Sequence, residues 1–387
     1  MFTFRLGGKL LANAVLLTSF LAASHAAMAV PSERPNTRHA LTTVRAAQGM
    51  ESIRHRMNDW MIGLAAGLPE GAPLRFATEL ARIVDDGDQM RVVPLITRGI
   101  SDNLNDLLYL RGVDAAIVYG DSLGELKDQP EIRGKVNYIA NLFPAEMHIF
   151  VRPEIHSLED LKGKVVNFNT KGTAAAYTGP IIFDQLHIGS INKFIPHPVA
   201  MKQMSESPDI AAVVFVSSKP LDAFVRRKWP AGFHFLPLPY SSKLGEYYFP
   251  SILKDSDYPD LIAKGQEIPT IAVPVVLAAF DWPKTSDRYR RMERFVQYFF
   301  ARLPLLQSQP SYHPKWKDVN LAGTVPGWER FPPVQAELDR LSSPDTLKRL
   351  RTEAAKVLPG NPEEQDRLVQ EFIKWANTPE VRSQIRR

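Results

Sequence analysis

Three loops that follow predicted strands carry residue types suited to holding a small ligand. The clearest spans residues 169–174, between a strand and a helix, and its Thr173 can cap that helix. Backbone N–H groups in the first turn of a helix attract anions, and Lys171 would add a positive charge. An ordinary strand-to-helix turn has the same local sequence. Residues 217–220 repeat the arrangement after a later strand, and residues 119–122 form the equivalent loop earlier in the chain.

A serine motif in the earliest of these loops offers a different chemistry. Residues 120–124 read Gly-Asp-Ser-Leu-Gly, which has the G-x-S-x-G spacing of a nucleophile elbow. The motif also resembles the Gly-Asp-Ser-Leu block of the GDSL hydrolases, and residues 184–187 supply a D-x-x-H. However, two predicted strands precede the serine, the D-x-x-H lies mid-chain in a predicted helix, and no oxyanion-hole blocks are recognisable. A secreted GDSL-like serine hydrolase with Ser122 as nucleophile stays as an alternative.

Other patterns that carry chemistry are missing from the sequence. None of the nine histidines pairs with another at the spacing of four that a helical zinc site needs, and cysteine is absent. The chain has neither a phosphate-binding G-x-x-x-x-G-K-[ST] loop nor a G-x-G-x-x-G after its first strand. We therefore expect no metal and no cofactor.

The elements that must position these loops alternate between short apolar strands and helices. The principal predicted strands lie at residues 61–66, 90–96, 113–119, 136–142, 147–151, 165–169, 193–196, 211–216 and 270–280. Short apolar strands separated by helices are typical of parallel sheets covered on both faces, which predicts an α/β fold with two Rossmann-like lobes. A helix at 286–303 places its aromatic and aliphatic residues on one face, which predicts core packing.

Charge and the N-terminal segment limit the location and the partners. The 47 Lys and Arg are scattered among 42 Asp and Glu, so no basic patch predicts nucleic-acid binding. Residues 1–29 have a basic start with Arg5 and Lys9, an apolar stretch too short to span a bilayer, and an Ala-Met-Ala cleavage site. This pattern predicts a cleaved signal peptide and a protein of the periplasm.

Four ordered stretches resemble the TAXI family, the solute receptors associated with TRAP transporters. They cover residues 92–119, 147–169, 209–224 and 247–278, and the second contains Ser-Leu-Glu-Asp-Leu-Lys-Gly-Lys-Val-Val-Asn. The resemblance implies a two-lobed type 2 periplasmic binding fold, with Rossmann-like lobes joined by a hinge near Arg152 and Ser241. Together with the terminal segments, which exceed the shorter family members, the predicted organisation is a signal peptide (1–29), an N-terminal helix (30–58), lobe 1 (59–147 plus 245–307), lobe 2 (148–244) and a C-terminal helical extension (308–387).

The resemblance implies a receptor that holds a small carboxylate or amino acid between its lobes, delivers it to TRAP transporter membrane subunits and catalyses no reaction. Arg152 matches the family's Val-Arg arginine and could clamp a carboxylate or serve structurally at the hinge. Glu70 replaces a family aromatic and could select an amino group. The full predicted ligand set is Glu70, Tyr119, Asp121, Ser122, Arg152, Lys171, Gly172, Thr173, Tyr177, Ser217 and Lys219. A ligand-sensing or scaffold protein that uses residues 308–387 is a further alternative.

Overall fold

The computed structural model describes residues 49–343, apart from residues 56, 69–71, 88 and 100–101. Four predicted features lie wholly or partly outside the described residues: the signal peptide, most of the N-terminal helix, Glu70, and the extension from residue 344 onward. Contacts divide the chain after Ile53. Residues 49–53 are helical, and all that follows concerns the unit that begins at Arg54.

Eleven strands of the described chain form one sheet, with eight in the order β2-β1-β3-β10-β4-β7-β5-β6 and three others paired with the long central strands β4 and β10. The strands are β1 (Met61–Gly67), β2 (Arg91–Ile96), β3 (Ala115–Tyr119), β4 (Val136–Val151), β5 (Val165–Asn167), β6 (Ile191–Lys193), β7 (Ala212–Ser217), β8 (His234–Leu236), β9 (Phe249–Lys254), β10 (Glu267–Phe280) and β11 (Glu329–Arg330). The helices are α1 (Ala72–Val84), α2 (Asn103–Tyr109), α3 (Pro130–Arg133), α4 (Ala174–Gln185), α5 (His197–Glu206), α6 (Asp222–Val225), α7 (Asp287–Ser308) and α8 (Pro332–Leu341).

Two groups of parallel strands form the halves of this sheet, and two long antiparallel strands join them. In the first half β1 pairs in parallel with β2 and β3, and in the second β5 pairs in parallel with β6 and β7. Between the halves, β10 pairs antiparallel with β3 and β4, and β4 pairs antiparallel with β7. The predicted α/β class with two strand-and-helix halves is therefore confirmed, although the halves share one continuous sheet.

Strand β4 differs from the sequence prediction, which placed two strands at 136–142 and 147–151. It runs unbroken for 16 residues. Proline lacks the N–H that a ladder needs, which favours a break at Pro144. Pro144 instead lies directly opposite Pro274 of β10, so both missing donors fall at one level of the ladder. The strand changes partner from β10 to β7 at Glu146, beside the predicted lobe boundary at residue 147.

The return crossing lies later in the chain than the predicted position near Ser241. Strand β10 pairs with β9 over Glu267–Ala272 and with β3 only from Val275 onward. The hairpin formed by β9 and β10 packs into the core of the second half, where Leu253 and Tyr258 are buried with Phe150. Residues 249–272 therefore belong with the second half, because their apolar side chains are buried there.

Helix α7 covers the first half. Ser286 caps it by accepting a hydrogen bond from the N–H of Tyr289 at 3.2 Å, and its buried face confirms the predicted apolar stripe: Tyr289, Met292, Phe295, Val296, Phe299, Phe300 and Leu303. Beyond it, the described part of the extension packs onto the same core through Trp316 and Phe331. No helix of the described residues has both the length and the apolar composition to cross a membrane.

Candidate functional site

A cleft of about 290 Å³ lies where the carboxyl ends of strands from both halves meet. Open α/β sheets bind ligands at such strand ends, because the loops there converge on one edge. The first half contributes the end of β1, the start of α1 and Tyr119 at the end of β3. The second half contributes the loop after β5, the first residues of α4 and α5, and the end of β7 at Ser217. Phe143 of β4 also lines it.

The amino end of α4 supplies backbone hydrogen-bond donors to the cleft. Thr173 is the N-cap, and its hydroxyl accepts a hydrogen bond from the N–H of Ala176 at 3.4 Å. The first N–H groups of a helix have no partner within the helix. Those of Ala174 and Ala175 find no acceptor among the described residues, and both residues line the cleft. Gly172, the residue before the N-cap, has a φ of 90°, a backbone conformation that glycine adopts most readily. The predicted anion-attracting loop thus borders the cleft.

Aromatic rings form the apolar walls. Tyr119 and Phe143 line the cleft from the first half and the crossing strand, and Phe215 lines it from β7. Burial, with a smaller effect from Asp121, raises the pKa of the Tyr119 phenol, so that the phenol remains protonated. The cleft lining therefore combines backbone donors with aromatic rings.

His197 is a cleft residue that the sequence reasoning missed. It begins α5, its ring stacks on Phe215 with centroids 3.4 Å apart, and its backbone N–H donates to Oδ1 of Asn169 at 3.2 Å. Burial lowers the pKa of the imidazole to about 4. The only signal in the sequence was position, since this histidine directly follows the predicted strand at 193–196.

The two predicted lysines lie outside the cleft lining, which corrects their assignment as ligand cations. Lys219 turns to the β9–β10 hairpin, where its Nζ lies 2.8 Å from a carboxylate oxygen of Asp257 and donates to the carbonyl of Ile252. Lys171 is exposed, with its Nζ 6.0 Å from the centroid of the Phe194 ring. Since no lysine or arginine of the described residues lines the cleft, the groups there that favour an anion are the N–H groups at the start of α4.

Arg152 lies at the opposite end of β7 from the cleft. Strand β4 runs antiparallel to β7, so Val151 faces Ala212 whereas Glu146 faces Ser217 at the cleft end. The Arg152 guanidinium donates to the carbonyls of Met204 and Ser207 at 2.5 and 3.0 Å. Of the two roles considered for it, this geometry fits the structural arginine and not the carboxylate clamp.

Asp121, Ser122 and Tyr177 lie outside the cleft lining, and the first two are buried. Oδ2 of Asp121 accepts hydrogen bonds from the hydroxyls of Thr178 at 2.7 Å and Tyr248 at 3.0 Å, while the buried Oδ1 has no hydrogen-bond partner among the described residues. Burial raises the pKa of Asp121 to about 6 despite these bonds. Asp121 follows β3 and Thr178 lies on α4, so the first bond joins the two halves.

The geometry at Ser122 differs from a nucleophile elbow. The residue is 1% exposed and its hydroxyl donates to the carbonyl of Tyr119 at 2.6 Å. No histidine of the described residues is hydrogen-bonded to it, and His187 is exposed at the far end of α4. Nor do the described residues contain a cluster of three or more histidine or acidic side chains able to hold a metal ion.

A second contact between the halves lies beside the cleft. Gly99 follows β2 with φ of 141°, and a Cβ built on it would lie 1.9 Å from the carbonyl oxygen of Gly172. The two backbones touch only because neither residue has a side chain. This contact joins a loop of the first half to the loop that carries the α4 N-cap.

Comparison with known proteins gives structural similarity alone. No protein-family model matches the chain, and no curated protein sequence matches it. The amino acid ABC transporter substrate-binding protein AbpA of Streptococcus pneumoniae is 13% identical, over 64% of this chain and 92% of AbpA, with a TM-score of 0.36. XAC2383 of Xanthomonas citri is 13% identical over 81% and 99% of the two chains, with a TM-score of 0.39. The methionine-binding protein MetQ is 12% identical over 70% and 99%, with a TM-score of 0.35.

Similarities at these TM-scores carry no argument about ligand or partner. The fold and the cleft by themselves define an α/β protein of two halves with a small, partly aromatic site at its strand ends. Membership of the TAXI family stays a prediction from the motifs.

Proposed function

We propose that the protein is a solute-binding receptor that holds a small carboxylate, an amino acid included, in the cleft between its halves. The observation that carries this proposal is the position of the α4 N-terminus. The N–H groups of Ala174 and Ala175, which have no acceptor among the described residues, line a cleft to which both halves contribute. Such groups favour a negatively charged ligand atom.

The cleft's dimensions and walls support a small and partly apolar ligand. Its volume of about 290 Å³ lies just below the usual range of ligand sites, about 300 to 1,000 Å³. Phe143 and Phe215 would cover the apolar part of the ligand. Since Lys171 and Lys219 lie elsewhere, the carboxylate would be held by backbone donors and the helix dipole.

Two further parts of the proposal rest on the sequence. Residues 1–29 have the pattern of a signal peptide, so we place the protein in the periplasm. The resemblance to the TAXI family points to TRAP-type membrane subunits as the partner. Uptake of the identified ligand into vesicles that carry such subunits, with and without the protein, tests this partner.

A thermal-shift screen against small carboxylates, amino acids, sugars and phosphates tests the binding role. A ligand at 100 times its dissociation constant stabilises the native state by about 2.7 kcal/mol, which raises the melting temperature by a few degrees. We expect a shift with carboxylates, and the same shift in Lys171→Ala and Lys219→Met. No shift with any carboxylate contradicts the binding role. A shift lost in both lysine variants contradicts the assignment of charge to α4.

The proposal includes no catalytic step. Ser122 is buried and donates to a neighbouring carbonyl, and its hydroxyl has no histidine partner within the described residues. We expect no turnover of a chromogenic ester by the protein. Turnover that disappears in Ser122→Ala would restore the GDSL-like alternative.

A further inference from the structure

The hydrogen bonds of His197 fix which ring nitrogen carries its proton. Nε2 lies 2.9 Å from the carbonyl oxygen of Val214, which can only accept, so Nε2 must be the donor. In the neutral ring this leaves Nδ1 without a proton and able to accept. Burial lowers the pKa of the ring to about 4, which keeps it neutral at ordinary pH.

The position of His197 is fixed by two further contacts. Its ring lies on Phe215 with an angle of 18° between the two planes. Its backbone N–H donates to Asn169, a residue held at φ of 65°, where asparagine is tolerated. The residue is 7% exposed and lines the cleft. A neutral imidazole held this firmly is a preorganised acceptor.

The other groups of the cleft complement this acceptor. The N–H groups of Ala174 and Ala175 are donors, and Phe143 and Phe215 offer only ring surface. The N–H groups can therefore bind a carboxylate, and Nδ1 of His197 can accept a hydrogen bond from a second group of the ligand. A ligand that carries only a carboxylate satisfies the first and leaves the second unpaired, at a cost in binding free energy.

We infer that His197 sets the ligand specificity of the cleft by accepting a hydrogen bond at Nδ1 from an O–H or N–H group of the bound carboxylate. This inference rests on the proposed function. It narrows the ligand class to small carboxylates with a second hydrogen-bond donor, such as hydroxy acids and amino acids, against the unsubstituted acids.

Two matched sets of probes test this specificity by isothermal titration. The first is lactate, alanine and propionate, and the second is phenyllactate, phenylalanine and 3-phenylpropionate. We expect the hydroxy or the amino member of a set to bind about three- to tenfold more tightly than its unsubstituted acid, the range of one net hydrogen bond. Comparing the affinities of the hydroxy acid and the amino acid in each set shows whether the donor to His197 is an O–H or an N–H group.

Variants of His197 provide the second arm. His197→Phe keeps the stacking ring and removes the acceptor. The ratio of affinities between the substituted and the unsubstituted acid of each set should therefore fall to about one. Lys171→Ala, outside the cleft lining, is the matched control and should keep the preference. If His197→Phe fails to fold, the wild-type series still decides the question.

The possible outcomes separate this inference from the proposed function. Equal binding of all members by the wild-type protein overturns the inference and leaves the proposed function standing. A preference that persists in folded His197→Phe also overturns the inference, because the acceptor must then be elsewhere. If no carboxylate binds in either set or in the wider screen, the proposed function itself is wrong.

Discussion

Replacing Asp121 by asparagine should remove a strong pH dependence from the stability of the protein. The carboxyl follows β3 and is buried against α4 and the residue before β9, and burial raises its pKa from 3.8 to about 6. Thr178 and Tyr248 donate hydrogen bonds that oppose this rise, whereas the nearby Glu125 adds to it. Tyr119 and Tyr177 also lie close, since Asp121 raises the pKa of both phenols.

The sign and the size of this pH dependence follow from the linkage between proton binding and folding. Because the native pKa is above the unfolded value, the site's stabilising contribution is complete below pH 3.8 and is lost as the pH rises through 6. Each unit of pKa shift corresponds to about 1.4 kcal/mol, so the free energy of unfolding falls by about 3 kcal/mol over the full titration. About 2 kcal/mol of it falls between pH 4.5 and 7.

Urea unfolding at pH 4.5 and pH 7 measures this effect. Other carboxyl groups also titrate in this interval, so the informative quantity is the difference between the wild type and Asp121→Asn. We expect the variant to gain about 2 kcal/mol relative to the wild type on going from pH 4.5 to 7. Asp128→Asn, an exposed site nearby with the same change in charge, should show no such gain. Parallel pH dependences for the wild type and Asp121→Asn would refute the assignment of a raised pKa to this carboxyl.

Two other substitutions test contacts that hold the site in place. Gly99→Ala should lower the free energy of unfolding by at least about 1–3 kcal/mol, since its Cβ would overlap the carbonyl of Gly172 at a φ of 141°. Gly189→Ala, with its nearest neighbour at 3.9 Å, should change it by less than about 0.5 kcal/mol, and equal effects of the two in urea unfolding would contradict the close approach. Glu79→Ala should cost about 2–4 kcal/mol in the same assay, because its buried carboxylate accepts from Nε1 of Trp316 at 2.7 Å. Glu79→Gln keeps an acceptor and should lose less, and an equal loss would show that this hydrogen bond is not the cause.

The sequence predicted the elements better than the side-chain directions. Thr173 could be assigned as a helix cap because a cap depends on residues three positions away, and the structure has that hydrogen bond. Strand β4 was predicted as two pieces, since the ladder partner of Pro144 lies 130 positions later at Pro274. The partners of Lys219 are likewise distant, because Asp257 comes from a hairpin whose position depends on burial with Phe150.

The predicted binding loops differ in how they reach the cleft. The loop after β5 lines it, whereas the predicted loops after β3 and β7 reach it only at their first residues, Tyr119 and Ser217. Arg152 was included because of a motif, although the antiparallel run of β4 carries it to the other end of β7. His197 was left out because a single histidine has no pattern, and only its stacking on Phe215 and its place at the cleft reveal it.

Isothermal titration with a blocked cleft tests the central claim most directly. Ala72 is a half-buried residue at the start of α1 that lines the cleft, so Ala72→Trp should fill part of the volume without opening the core. Ala263→Trp adds the same ring at an exposed position in the turn between β9 and β10. For the carboxylate found in the thermal screen, we predict tight binding by the wild type and by Ala263→Trp, with at least about a tenfold loss in Ala72→Trp. Unchanged affinity in folded Ala72→Trp would contradict the claim that the ligand lies in this cleft.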